Sequence, residues 1–420
     1  MVDDLEVGTY VAALNRPRLV ENPNRSRHRW PGESCDPRQG GAVSNLRKLA
    51  LISLPSVAIL VGFFELGLFR LFVVVDNFPL LTFDRTNRIL KYWPDQSGLR
   101  YPDRDRHHPV NYSINADGWN SIHPAYPQAR GARQRIAVIG DSYVEAFQVN
   151  PSESMATRLE TLLGPARFEV FSFGISGAPL SHYLHVARYV MRTFHPDAVV
   201  VVVVHNDFIE SYRPKPGRFS RSLLHVRLGD TVREIQPPPY ETSPFAQWLL
   251  ARSATARFGC YCWRILVGAN AESAKGTPAV HFEANIDVDE MVTEEPRIRQ
   301  ATRYLFDEFA DLQRSAQTPV VFVMDSPREA LYRGQDPRDL TVYRLNRIAR
   351  EIAGEAGLTF LDLTDAFEQN YARSQRRFEF ATDNHWNAHG HEVAAREAHR
   401  LLLSLLKSEQ PWGIPETRSH

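Results

Sequence analysis

The 420-residue chain carries 49 basic and 49 acidic side chains, with 43% hydrophobic and 11% aromatic residues. That length allows one large domain or two ordinary ones with a substantial core, and the even charge balance excludes nucleic-acid binding driven by a basic field. Only three cysteines occur, Cys35, Cys260 and Cys262, which excludes a disulfide-stapled fold; a bridge between neighbours as close as Cys260 and Cys262 would be strained, so both read as thiols.

Residues 1–45 are rich in Arg, Pro, Asn and Gly without apolar periodicity, the composition of a disordered tail. Residues 46–76 predict a transmembrane helix. The run LALISLPSVAILVGFF (Leu49–Phe64) is uncharged, and Glu65 is the one ionisable residue between Leu49 and Leu68. A span needs about 20 mostly apolar residues. A central charge costs about 3 kcal/mol and each Leu, Ile, Val or Phe returns roughly 0.3–0.6 kcal/mol, so the apolar residues outweigh one off-centre carboxylate. Arg47 and Lys48 directly before the span favour a cytoplasmic N-terminus, which puts the chain beyond the span on the periplasmic or extracellular side of an inner (cytoplasmic) membrane; Arg85, Arg88 and Lys91 just past it pull the other way. The apolar segment begins far from Met1 and no small-residue cleavage site comes after it, so it does not read as a signal peptide.

Residues 77–133 read as an irregular pre-domain segment, in which Ile114–Trp119 (INADGW) suggests a short strand and a turn at Asp117-Gly118. A catalytic domain is expected over 134–408, followed by a tail at 409–420. Strands are predicted at 135–141, 168–174, 196–207, 319–325 and 358–363, and helices at 154–164, 182–194, 296–316, 338–355 and 389–407. The strongest strand holds six consecutive valines (199–204) between Pro196 and the polar His205-Asn206-Asp207. Alternating apolar strands and helices imply an α/β fold of the flavodoxin-like type, three layers α/β/α around a parallel sheet. The rhythm breaks over 211–295, an insertion with a Pro triplet at 237–239 and one helix expected around Phe245–Ile265, read as a lid or substrate wall.

Doubly wound sheets gather their sites at the carboxyl ends of strands. Gly140-Asp141-Ser142, the loop around Gly177, and Asn206-Asp207 all come directly after predicted strands, and Asp383-Asn384-His385 precedes the last helix. A serine hydroxyl needs a base to become nucleophilic. His385 can act as one near neutral pH, and Asp383 could fix its tautomer. The backbone N–H groups of Ser142 and Gly177 and the side-chain amide of Asn206 are candidate oxyanion donors. His385, His389 and His391 cluster, yet the H-E-x-x-H zinc form is absent, so no metal is expected. G-x-S-x-G and nucleotide-binding glycine loops are absent as well, and no cofactor is expected.

These ordered blocks resemble the SGNH (GDSL) hydrolase superfamily over about residues 110–405, the insertion excluded. In that resemblance Ser142 falls on the nucleophile, Gly177 and Asn206 on the oxyanion glycine and asparagine, His385 on the base and Asp383 on its partner. Two positions depart from the pattern: His205 stands where a glycine is usual, and the acid–base spacing is D-x-H-W in place of D-x-x-H, with Thr382 at the usual acid position. D-x-H-W is similar to the form in SGNH-type polysaccharide O-acetyltransferases, and INADGW to a segment upstream of the catalytic domain in membrane-anchored bacterial members. The resemblance implies a serine esterase for acyl, chiefly acetyl, esters of carbohydrate or small molecules. Its alternatives are an O-acetyltransferase for a cell-envelope polysaccharide, with a membrane partner delivering the acyl group, and an inactive glycan-binding module.

Overall fold

The computed structural model describes residues 48–408 except 74–75, 103–107, 242, 261, 264–281 and 285. The expected tails, 1–45 and 409–420, lie outside the described residues, as does Cys35. The described chain divides into two compact units, one drawn from Asp76–Glu241 and the part after Ala269, the other from the part before Val75 and Thr242–Gly268.

The second unit contains helix α1 (Leu49–Phe69), long and apolar enough to cross a membrane. It also contains residues 243–263, where the single helix expected around Phe245–Ile265 is two. Pro244–Arg252 forms the first, Ser253 is extended, and a second helix starts at residue 254. The break sits where the Ser253 side chain caps the second helix by accepting from Ala256 N at 3.0 Å.

The first unit opens with two antiparallel hairpins where an irregular segment was expected. One pairs β1 (Leu81–Asp84) with β2 (Ile89–Tyr92), the other β3 (Ser97–Arg100) with β4 (Val110–Ser113). The INADGW turn comes next, closed by an Ile114–Asn120 bridge and by Asn115 Oδ1, which accepts from Asp117 N and Trp119 N at 3.0 Å each. The sheet proper contains β5 (Gln134–Gly140), β6 (Phe168–Gly174) and β7 (Ala198–Val203). The short hairpins β8 (His225–Arg227) with β9 (Arg233–Ile235) and β10 (Phe282–Glu283) with β11 (Ile286–Asp287) precede its last strands, β12 (Val320–Met324) and β13 (Thr359–Asp362). Its order is β13-β12-β7-β5-β6, all parallel. Counted from β6, that is the 2-1-3-4-5 order of flavodoxin-like sheets, with its switch point between β5 and β7.

Every residue of β6 and β7 is buried. In β7 the side chains of Val199, Val201 and Val203 enter one core while Ala198, Val200 and Val202 enter the other, the period-2 alternation of a strand covered on both faces. The first core is closed by α2 (Leu180–Phe194), α3 (Val288–Ala316) and α4 (Arg344–Ala356) together with the hairpin segment. The second is closed by Met155–Leu163, Thr364–Ser374 and the last helix, Ala388–Ser408. Helix α3 begins eight residues before the expected start at Pro296 and runs through that proline, capped by Asp287. Thr364–Ser374 was not expected from the sequence.

The hairpin segment has a specific structural task. Strand β6 is an edge, and the Tyr126 hydroxyl satisfies it by donating to Ser172 O and accepting from Ser172 N, both at 3.0 Å. Glu160 accepts from Val170 N at 2.7 Å on the same edge, so its backbone is not left open to another strand. Within the insertion, Leu223, Leu224 and Val226 are buried in the first unit. Among its described residues only Ala284 lines the cavity at the strand ends, next to His205, Tyr143 and Arg328.

Candidate active site

Strand β5 delivers Gly140 and Asp141 to a single helical turn, Ser142–Glu145. Asp141 Oδ1 caps the turn by accepting from Tyr143 N at 2.9 Å, and Ala146 in the left-handed region (φ 57°) stops it. The turn packs onto β6 closely enough that a Cβ at Gly174 would stand 2.0 Å from Glu145 N, so that position must be glycine. Ser142 is thus held at the first position of the turn, 8% exposed.

His385 reaches it from the loop before the last helix. Its Nε2 lies 2.7 Å from Ser142 Oγ and its Nδ1 makes a short contact with Asp383. A carboxylate can only accept, so Nδ1 carries the proton and Nε2 is free to accept from the serine hydroxyl. Asp383 Oδ1 also accepts from His385 N at 2.9 Å, so one oxygen fixes both the backbone and the ring. That local turn is how the D-x-H spacing brings acid and base together. Burial pushes the Asp383 carboxyl up, but the hydrogen bonds and charge of His385 prevail and hold it down at about 2.

The loop rests on groups distant in sequence. Buried Arg328 donates to Asn384 O (2.7 Å), Tyr143 Oη (3.0 Å) and Glu379 (3.1 Å), and pairs with Asp325 at 3.2 Å. Burial alone would weaken its hold on the proton; Asp325 foremost, with Tyr143 and Glu379, more than compensates and keeps it charged. Trp386, fully buried, donates to Asp325 Oδ1 at 3.0 Å. Asn387 accepts from His389 N and Gly390 N at 2.9 and 3.1 Å, capping the last helix. Tyr143 touches both sides of the site, its ring 5.1 Å from His385 and 5.0 Å, edge-on, from Trp386. The sequence reading missed this cluster; its only local signals were the aromatic residues beside Ser142 and His385.

Gly177 (φ 69°) lies in the loop after β6 and Asn206 directly after β7, on strands either side of β5. Buried Glu145 pins the Gly177 loop, accepting from Ser176 N at 2.9 Å and forming short contacts with the Ser176 and Tyr92 hydroxyls. The Asn206 amide donates one of its two hydrogens to Glu210 Oε1 at 2.9 Å. His205 fits without crowding because its ring is buried against Asn346 Oδ1 at 3.0 Å. Burial first, and then the charge of Asp141, pushes the Asp207 carboxyl well above its ordinary range.

Of the other histidines, buried His391 accepts from Met155 N through Nδ1 at 3.2 Å and is held down to about 3, mainly by burial. His389 stacks on Phe378, ring centres 5.3 Å apart. Among the described residues no group of three His, Cys, Asp or Glu side chains could hold a metal ion. Cys260 and Cys262 are free thiols.

Fold and site together describe a doubly wound α/β protein with a Ser–His–Asp arrangement at its switch point. No protein family and no curated protein matches the chain by sequence. Solved structures similar to it include TesA, at 12% identity over 65% of this chain and 99% of that one, with a TM-score of 0.36. A member of the lipolytic G-D-S-L family from Veillonella parvula matches at 11% over 64% and 98% (TM-score 0.34). A catalytic mutant of an acetylxylan esterase from Geobacillus stearothermophilus matches at 14% over 64% and 94% (TM-score 0.35).

Proposed function

We propose that the chain is a membrane-tethered serine ester hydrolase of the SGNH type, acting on acetyl or similar acyl esters of carbohydrate. The observation that carries this reading is the contact line Asp383–His385–Ser142, with Nε2 at 2.7 Å from Oγ. In the reaction, Ser142 Oγ attacks the ester carbonyl while its proton passes to His385 Nε2, and Asp383 stabilises the imidazolium. The N–H groups of Ser142 and Gly177 serve the oxyanion, joined by the second hydrogen of the Asn206 amide. Collapse expels the alcohol, which takes the proton from His385. Water, activated by the same base, then releases acetate and restores Ser142.

Helix α1 supports a tether in an inner membrane, and Lys48 at its start supports a periplasmic catalytic unit. The test is hydrolysis of an aryl acetate by the full chain in detergent, with acetylated and free oligosaccharides as competitors. Ser142→Ala and His385→Ala should each lose on the order of 10⁴-fold or more in kcat. Acetyl passing to a sugar in place of water would make the chain an O-acetyltransferase, whose acyl donor must come from a membrane partner. A folded chain with neither turnover nor acyl-serine would leave a glycan-binding module.

A further inference from the structure

The second unit poses an electrostatic problem and contains its answer. Glu65 is the one acidic residue of α1, and a carboxylate in hydrocarbon is costly unless it is paired. Its oxygens accept from Ser253 Oγ and Ala254 N at 2.8 Å each and from Thr255 N at 3.0 Å. Those donors open the helix that starts at residue 254, where unpaired N–H groups and the helix dipole favour an anion. Four residues further along each helix, Phe69 packs on Phe258 with ring centres 4.6 Å apart. The segment 253–258 is therefore fixed alongside the last turns of α1.

Depth is set by length. Glu65 is sixteen residues past Leu49 and four before Phe69, where the span ends. At the α-helical 1.5 Å per residue that is at most about 24 Å, since Leu49–Ser53 and the stretch from Phe63 are π-helical, against a hydrocarbon core of about 30 Å. The contact falls within a few ångströms of the exit face. The same unit exposes large aromatic surface: Phe245 is 66% exposed, Trp248 51% and Trp263 53%. Phe245 and Trp248 stack at 6.1 Å, and the Arg252 guanidinium lies 5.4 Å over the Trp248 ring. In the first unit, exposed large hydrophobic residues occur singly, as on any soluble surface. In the second they continue from the span itself into 244–263. Indole rings beside arginine are the side chains that settle at the headgroup boundary.

We propose that residues 244–263 lie in the lipid headgroup interface of the bilayer that α1 crosses, docked there through Glu65; this rests on reading α1 as a span. The helix pair then forms one membrane-embedded unit, and the occupant of its exposed aromatic face is phospholipid.

The test uses the full chain in phosphatidylcholine–phosphatidylglycerol vesicles, some with lipids brominated near the headgroup and others near the bilayer centre. The emission lost in a Trp248→Phe/Trp263→Phe variant isolates those two indoles. That difference emission should be quenched more by the shallow bromines than by the deep ones, and should lose most of its quenching in Glu65→Ala but not in Glu65→Gln. Retained hydrolysis of aryl acetate shows that the first unit of each variant is folded, and an unchanged helical circular-dichroism signal in the vesicles shows that the helices of the second unit remain. Difference emission that brominated lipids leave unchanged overturns the proposal, and full quenching in Glu65→Ala overturns the docking by Glu65. Alkaline carbonate extraction separates the two readings. A chain stripped from the vesicles ends the span and the proposal together, whereas a retained chain with unquenched difference emission ends the proposal alone.

Discussion

At the residue scale, Asp383 and Asp207 are carboxylates driven in opposite directions by their surroundings. Burial pushes Asp383 up, but hydrogen bonding to His385 wins and holds it at about 2, so it is ionised wherever the imidazole is a useful base. Asp383→Asn keeps the size of the side chain but allows an amide to donate to Nδ1, which favours the wrong tautomer. We expect kcat for aryl acetate to fall about 10³–10⁴-fold with KM little changed, measured by steady-state kinetics. Because its folded value lies below its unfolded one, Asp383 also contributes stability above about pH 4 that disappears as pH falls toward 2.

Asp207 runs the other way. Burial, then Asp141, raises its folded value well above the unfolded 3.8, so the folded protein retains a proton that the unfolded chain releases. Stability falls as pH rises above about 4 for as long as that difference lasts. Asp207→Asn keeps an acceptor for Val204 N, now at 2.8 Å from Oδ2, and has no proton to lose. The variant's melting temperature relative to the parent should rise between pH 4 and pH 8. A constant difference across that range would show that Asp207 is not protonated in the fold.

At the scale of elements, the loop that holds Asp383 and His385 stands on a buried charge cluster. Removing the cation strands nearly inaccessible Asp325 and leaves equally buried Glu379 with only its 3.2 Å pair to Arg377. Arg328→Met should therefore cost about 3–5 kcal/mol, read from denaturant unfolding. Adding Asp325→Asn should restore most of that, because the penalty belongs chiefly to the carboxylate left without a cation, while Glu379 keeps Arg377. The same cluster explains what was legible in the sequence. The valine run of β7 and Phe168–Gly174 of β6 announce themselves because both faces of each strand are buried. Ser142, Asp383 and His385 were readable because each sits in a short local motif. Arg328 lies 57 positions from His385 in the sequence, and no local pattern marks it as the support of that loop. The hairpins β1–β4 were missed because each strand is four residues long and their half-exposed side chains give no clean alternation. The covering of the β6 edge by Tyr126, in the loop after these hairpins, is visible only in tertiary structure.

At the scale of the whole molecule, the two units differ in what holds them together. Both hydrophobic cores are composed of first-unit residues, from Leu81 to Leu402; among the described residues of α1 and of 242–268, none belongs to either. The second unit instead presents α1 with no buried residue in its most apolar window and joins its helices through Glu65 and Phe69. A core that borrows nothing from the tether should survive without it, since burial of apolar surface is the main force on the folded state. Deleting residues 1–75 and replacing 242–268 with a short Gly/Ser linker should give a water-soluble chain. It should unfold cooperatively at the parent's melting temperature, within a few degrees, and hydrolyse aryl acetate with the parent's kcat. Aggregation or a non-cooperative melt would mean that the catalytic unit needs the tether to fold. A folded but inactive chain would mean that the 242–268 segment contributes to the site itself.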